Sequence, residues 1–240
     1  MKTSDYIVNT INRFPKGFVF TYEEFSKQVE SKEAIIKALN RMAVSGKIEK
    51  LAKGKFYKPE ETVFGKLEPP KQQIVKDLLE ENGKVVGYLT GLSIYNEQGL
   101  TTQVSNTIQI GKNEIRPTFK RGRFTISFIK QKNTITKENI PFLQILDAIN
   151  QIKKIPDTSL DESVLRIIEI IKTINEAEIS TMQRLALKYP PSTRALLGAV
   201  LEFLKIGEPE ILKKSLNAIS TYSFPNIETI LPTSKNWNIK

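Results

Sequence analysis

The stretch SKEAIIKALNRMAVSGKIEKLAKGKFYKP, residues 31–59, decides how the N-terminal part of this 240-residue chain is built. Ser31 stands where a helix wants an N-capping hydroxyl. Ile35, Ile36, Leu39, Met42 and Ala43 then recur at helical spacing, and Gly46 falls where a left-handed residue closes a helix. The predicted helix turns Lys32, Lys37, Asn40 and Arg41 outward. Two short strand patterns follow, Lys47–Leu51 and Lys55–Lys58, joined through Ala52-Lys53-Gly54 and stopped by Pro59. They read as a hairpin with a basic tip.

Upstream, Tyr6, Ile7, Ile11 and Phe14 share one face of a predicted helix over Ser4–Phe14, which Pro15-Lys16-Gly17 stops. Phe18-Val19-Phe20 suits a short strand. Thr21-Tyr22-Glu23-Glu24 has the form of a capping box and predicts a second helix over Tyr22–Gln28. Helix, strand, helix, helix, hairpin is the element order of a winged helix-turn-helix, which we expect over residues 1–60. Residues 61–70, rich in Pro, Glu and Lys, are expected to be a linker.

The remainder, 71–240, reads as one body of mixed character. An α+β part over 71–140 begins with an amphipathic helix Lys71–Asn82, ended by Gly83, and continues with a helix over Thr90–Gln98 and strands over Asn106–Ile110 and Phe124–Ile129. From Pro141 to residue 222 the pattern is helical, with helices over Phe142–Lys153, Asp161–Ile174, Ile179–Lys188, Thr193–Leu204 and Pro209–Ser220. The tail 223–240 has no period and is expected to be irregular. The predicted fold class is α+β, with a C-terminal helical bundle.

Composition narrows the chemistry. With neither cysteine nor histidine, the chain has no disulfide, no thiolate nucleophile, no imidazole base and no thiolate or imidazole ligand for zinc. Carboxylates and lysines remain for a magnesium-dependent nuclease, but no Asp…Glu-x-Lys arrangement spans two neighbouring strand patterns; Asp77, Glu80 and Glu81 read as solvent-facing on one helix. A P-loop is absent from the sequence as well. The expectation is therefore a non-enzyme without cofactor or metal. Net charge is +10, divided as +5 over residues 1–60, +4 over 61–140 and +1 over 141–240. A polyanionic partner fits that gradient. No signal-peptide pattern follows Met1, and no apolar run is long enough to span a bilayer, so a cytoplasmic location is expected.

In a helix-turn-helix the reading helix lies in the major groove, where long side chains on its outer face reach base edges. Asn suits the paired donor and acceptor of adenine and Arg suits guanine, so Asn40 and Arg41 are the expected base readers, with Lys32 and Lys37 on phosphates. Residues Lys27 to Lys58 hold nine basic side chains against three acidic ones. Within them Lys50, Lys53, Lys55 and Lys58 decorate the hairpin and are expected to grip the backbone or minor groove. A second basic cluster, Lys120, Arg121 and Arg123 in a turn of the body, extends that footprint, docks onto a partner or is a solvated turn.

Gly17-Phe18-Val19-Phe20, the run Ile36–Met42, Gly46-Lys47-Ile48 and Leu51–Pro59 together resemble the N-terminal winged helix of AbiEi-type antitoxins. Val86–Ser93 and Gly99–Val104 are similar to the start of that family's second domain, which carries the resemblance over roughly residues 1–130. It implies a repressor of its own operon that opposes a nucleotidyltransferase-fold toxin through its C-terminal region, with operator DNA and that toxin as partners. Two alternatives stand beside it: a stand-alone winged-helix transcription factor, and a protein-interaction scaffold without operator recognition. The stripe Val164, Leu165, Ile168, Ile171 and Ile174 is expected to be core.

Overall fold

The computed structural model describes residues 3–240 and has an α+β fold that divides into two compact units. The smaller runs to Leu78 and takes in Lys120–Phe124; the larger holds Leu79–Phe119 and Thr125–Lys240.

In the smaller unit, α1 (Thr3–Arg13) is followed by β1 (Val19–Phe20), a single 3-10 turn Glu23–Phe25, α2 (Lys32–Val44), β2 (Glu49–Ala52) and β3 (Lys55–Tyr57). The strands form an antiparallel sheet in the order β1-β3-β2, with Phe20 opposite Phe56 and Lys50 opposite Phe56 on the other side. Its core is one cluster containing Ile7, Ile11, Phe20, Phe25, Ile35, Leu39, Ile48 and Phe56. Both ends of α2 are closed as the sequence requires. Ser31 Oγ accepts from the Ala34 amide at 3.2 Å. At the other end Gly46 takes φ +74°, while its amide reaches Ala43 and that of Lys47 reaches Met42, a Schellman closure.

The predicted second helix is corrected to one turn. Thr21 and Glu24 do cap it, the Thr21 amide donating to the carboxylate at 2.7 Å and the Glu23 amide to Thr21 Oγ1 at 3.1 Å. Phe25 and Val29 are buried and Tyr22 only partly so, too short an apolar face for the turn to propagate.

The predicted linker 61–70 is a second hairpin, β4 (Glu60–Thr62) with β5 (Gly65–Leu67). The chain then stays on the smaller unit. Pro70 packs against Gly17, Gln73 Oε1 accepts from the Val19 amide on the sheet edge at 3.3 Å, and Ile74, Val75 and Leu78 are buried. The predicted helix 71–82 is two short pieces, α3 (Lys71–Ile74) and α4 (Lys76–Leu79), broken at Val75. Asn82 and Gly83, at φ 50° and 75°, turn β6 (Glu80–Glu81) back on β7 (Lys84–Val85). An Asn-Gly pair is a strong hairpin signal, and here it overrides the helical spacing before it.

Along the chain come β8 (Gly87–Thr90), α5 (Leu92–Glu97), β9 (Thr107–Lys112), β10 (Phe119–Arg121), whose Lys120 and Arg121 belong to the smaller unit, and β11 (Phe124–Lys130); within the larger unit the strands lie in the order β11-β9-β8. β9 runs parallel to β11 and antiparallel to β8. Five helices follow: α6 (Ile140–Gln151), α7 (Leu160–Lys172), α8 (Glu176–Ala186), α9 (Pro191–Leu204) and α10 (Glu210–Lys214). The last is much shorter than the predicted Pro209–Ser220. Of the apolar stripe on α7, Val164, Ile168 and Ile171 are buried, but Leu165 is exposed. The tail is built of 3-10 turns and buries Phe224, Ile227, Leu231, Trp237 and Ile239. Gly198 makes room for it, since a Cβ there would lie 2.1 Å from the Trp237 ring.

Candidate nucleic-acid interface

Helical geometry divides α2 cleanly. Ile35, Leu39 and Met42 are buried, which turns Ile36, Lys37, Asn40, Arg41 and Val44 to solvent. Lys37 and Arg41, one turn apart, border a cleft of about 310 Å³ that also touches Ser4 and Ser31. Asn40 lies on the other side of the exposed face, nearer Ile36 by the 100° step of the helix. Lys32 opens the helix with its ammonium 4.2 Å from the centre of the Tyr22 ring, a cation–π contact that leaves the residue exposed.

On the β2–β3 hairpin the predicted residues part company. Lys50 and Lys53 are exposed, the latter beside Gly54, whose φ of +73° makes the turn. Lys55 is half-buried and lies 3.1 Å from Asp77. Lys58 points back into the fold, donating to the Asn12 and Phe14 carbonyls at 2.8 and 2.9 Å. Those carbonyls end α1, where a cation satisfies acceptors the helix leaves open. Lys58 is therefore a cap of α1 and leaves the predicted grip.

Arg121 is corrected in the same way. It is buried, and its guanidinium forks onto Asp77 at 2.7 and 3.0 Å while also donating to the Ile74 carbonyl at 2.6 Å. Burial alone would raise the Asp77 carboxyl; the Arg121 fork and the charges of Arg121 and Lys55 hold it below its ordinary value. Asp77 keeps its predicted exposure, 42% at the side chain, and is also the hub of an ion-pair cluster. Arg123 pairs with Glu68 and lies 5.3 Å from the Phe124 ring. Lys120 is exposed. The predicted sites that the structure leaves together on one unit and open to solvent are Lys32, Lys37, Asn40, Arg41, Lys50, Lys53 and Lys120.

A model of a family of unknown function, DUF6088, matches residues 6–179, well over half of the chain. The chain belongs to the DUF6088 family. The match spans α1 to the start of α8 and so includes parts of both units. This DUF6088 chain is also similar to the Rv2827c protein from Mycobacterium tuberculosis, whose crystal structure aligns with a TM-score of 0.57 at 13% identity, covering 92% of this chain and 84% of that one. At that identity the likeness is one of fold. No curated protein matches the sequence.

Sequence reading missed three features of this DUF6088 chain. The tip of the β4–β5 hairpin places Val63 and Phe64 in solvent. Lys66 fastens that hairpin beside α2, donating to the Gly46 carbonyl at 3.0 Å and to Glu49 at 2.6 Å. In the larger unit the Asp147 carboxylate is buried and accepts from Tyr88 (2.7 Å), Thr90 (2.9 Å) and Tyr189 (2.7 Å), while the Gln131 amide donates to both tyrosine oxygens at 2.8 Å. Burial pushes Asp147 up to about 6 against the opposing pull of its three hydroxyl donors. Its oxygens are satisfied, which marks a structural hub tying β8, α6 and the segment before α9. Among the described residues no group of three or more acidic side chains could hold a metal ion, and no helix is long and apolar enough to cross a membrane.

Proposed function

We propose that the smaller unit is a winged helix-turn-helix that binds duplex DNA, with α2 as the helix entering the major groove and the β2–β3 hairpin as its wing, and that the chain acts as a transcriptional repressor. The observation that carries this reading is the outer face of α2. It is a rigid helix, capped at both ends and sealed on its inner side, that presents Lys37, Asn40 and Arg41 together with the apolar Ile36 and Val44. Amide, guanidinium and ammonium groups match base edges and phosphates, and exposed aliphatic side chains match thymine methyls. Val44 is 92% exposed, which packing does not account for. Lys50 and Lys53 on the wing supply sequence-independent attraction.

The resemblance to AbiEi-type antitoxins extends the proposal to a partner: the chain represses its own operon and opposes a nucleotidyltransferase-fold toxin encoded beside it. The test is binding to the DNA upstream of its own gene against a scrambled duplex, with wild type beside an Asn40→Ala/Arg41→Ala variant. Preference for the upstream duplex that the variant loses supports operator reading by α2. Equal, weak binding to both duplexes overturns it and leaves the scaffold alternative.

A further inference from the structure

The β4–β5 hairpin has the wrong residues at its turn for a merely structural loop. Turn positions ordinarily carry Gly, Asn, Asp or Ser. Here they carry Val63 and Phe64, which are 94% and 96% exposed. Neither is needed to make the bend. Gly65 supplies the unusual backbone at φ +106°, and Thr62 ties the turn by donating to the Gly65 carbonyl at 2.9 Å and accepting from the Phe64 amide at 3.2 Å. The result is a braced finger with an aromatic and a branched aliphatic residue at its end.

Its position is fixed as well. Lys66, two residues from Phe64, is the clamp on the Gly46 carbonyl and Glu49, so the tip is held beside the C-terminal end of α2. Charge selects the occupant. The adjoining stretch carries Lys47, Lys50 and Lys53, and three of the acidic groups around the finger have cationic partners, Glu49 with Lys66, Glu60 with Lys16 and Glu68 with Arg123, while the exposed Glu61 stands opposite Lys66 in the hairpin register. A second copy would bring the same sign of charge on a chain of net +10, whereas a nucleic acid brings the opposite.

Resting on the reading that α2 lies in the major groove, we propose that the finger is a wedge, with Phe64 inserting between base pairs beside the site read by α2 and kinking the duplex. Apolar wedges of this kind unstack a step and bend DNA around more protein surface. Aromatic stacking on a base is worth about 5- to 150-fold in affinity by alanine substitution.

The experiment uses the full chain and its upstream duplex labelled at both ends for energy transfer, with 2-aminopurine scanned through the site. Wild type is expected to shorten the end-to-end distance and raise 2-aminopurine emission at one step. Phe64→Ala should bind about 5- to 150-fold more weakly without either signal, and Phe64→Trp should retain both. Because Phe64 is exposed, circular dichroism of the variants should match wild type. Wild-type binding to a straight, fully stacked duplex overturns the wedge while leaving the α2 reading intact. So does a Phe64→Ala protein that binds and bends as wild type does, or one whose only change is loss of a dimer in sedimentation. Absence of any wild-type binding overturns both.

Discussion

Replacing Asp77 by Ala separates the structural cations of the smaller unit from those that face solvent. The carboxylate accepts the two-pronged Arg121 contact at 2.7 and 3.0 Å and lies 3.1 Å from Lys55. Removing it leaves a buried guanidinium whose remaining partners include the Ile74 carbonyl. Breaking one side of a fully buried pair costs about 3–5 kcal/mol. The Asp77 side chain is 42% exposed, so solvent already screens the pair, and the expected cost falls to about 2–3 kcal/mol. Arg121→Met should cost less, about 1 kcal/mol, because the carboxylate left behind can be hydrated and still faces Lys55. Urea unfolding of wild type, both single variants and the double variant measures these values and their coupling. Equal costs for the two single changes, or no coupling between them, would refute the argument that Arg121 is held as a buried, fork-bound cation.

Two further outcomes concern the larger unit. Burial raises Asp147 to about 6, so the folded state holds that proton more tightly than the unfolded chain, whose value is about 3.9. Its contribution to stability is fully present below about pH 4 and is lost as pH rises through 6. The difference in unfolding free energy between wild type and Asp147→Asn should therefore change by about 2 kcal/mol between pH 4 and pH 7, and a constant difference across that range contradicts the assignment. Gly198→Ala should displace the Trp237 ring and loosen its 2.6 Å bond to Glu202, red-shifting emission from the single tryptophan and costing about 1–3 kcal/mol; unshifted emission would show that the tail does not depend on that contact.

The sequence was most legible where one periodicity and two caps agreed. α2 follows its apolar spacing from Ser31 to Gly46, and its outward residues are those the spacing turned outward. Legibility failed where long-range partners decide. Lys53 and Lys58 look alike as basic residues of one hairpin, yet Lys58 caps a helix that ends more than forty residues earlier in the chain. Arg121 and Asp77 likewise find each other across forty-four residues, and no local pattern predicts such a pair. Two short-range signals were available in the sequence. Asn82-Gly83 marks a hairpin more strongly than a helix end, and Thr62 with Gly65 brackets a turn inside what composition presents as a linker. The tail could not be read from periodicity because its burial depends on a groove opened by a glycine on another helix.

In the proposed reading the outer face of α2 and the wing hold DNA while the cations turned inward hold the fold. The salt dependence of binding to the upstream duplex tests it most directly, for wild type, Lys53→Ala, Lys58→Met and Arg121→Met. Each lost phosphate contact lowers the slope of log K against log salt by about one. That reduction is expected for Lys53→Ala, with the slope of wild type kept by Lys58→Met and Arg121→Met. A reduced slope for the inward-facing pair, with Lys53→Ala unchanged, would contradict it.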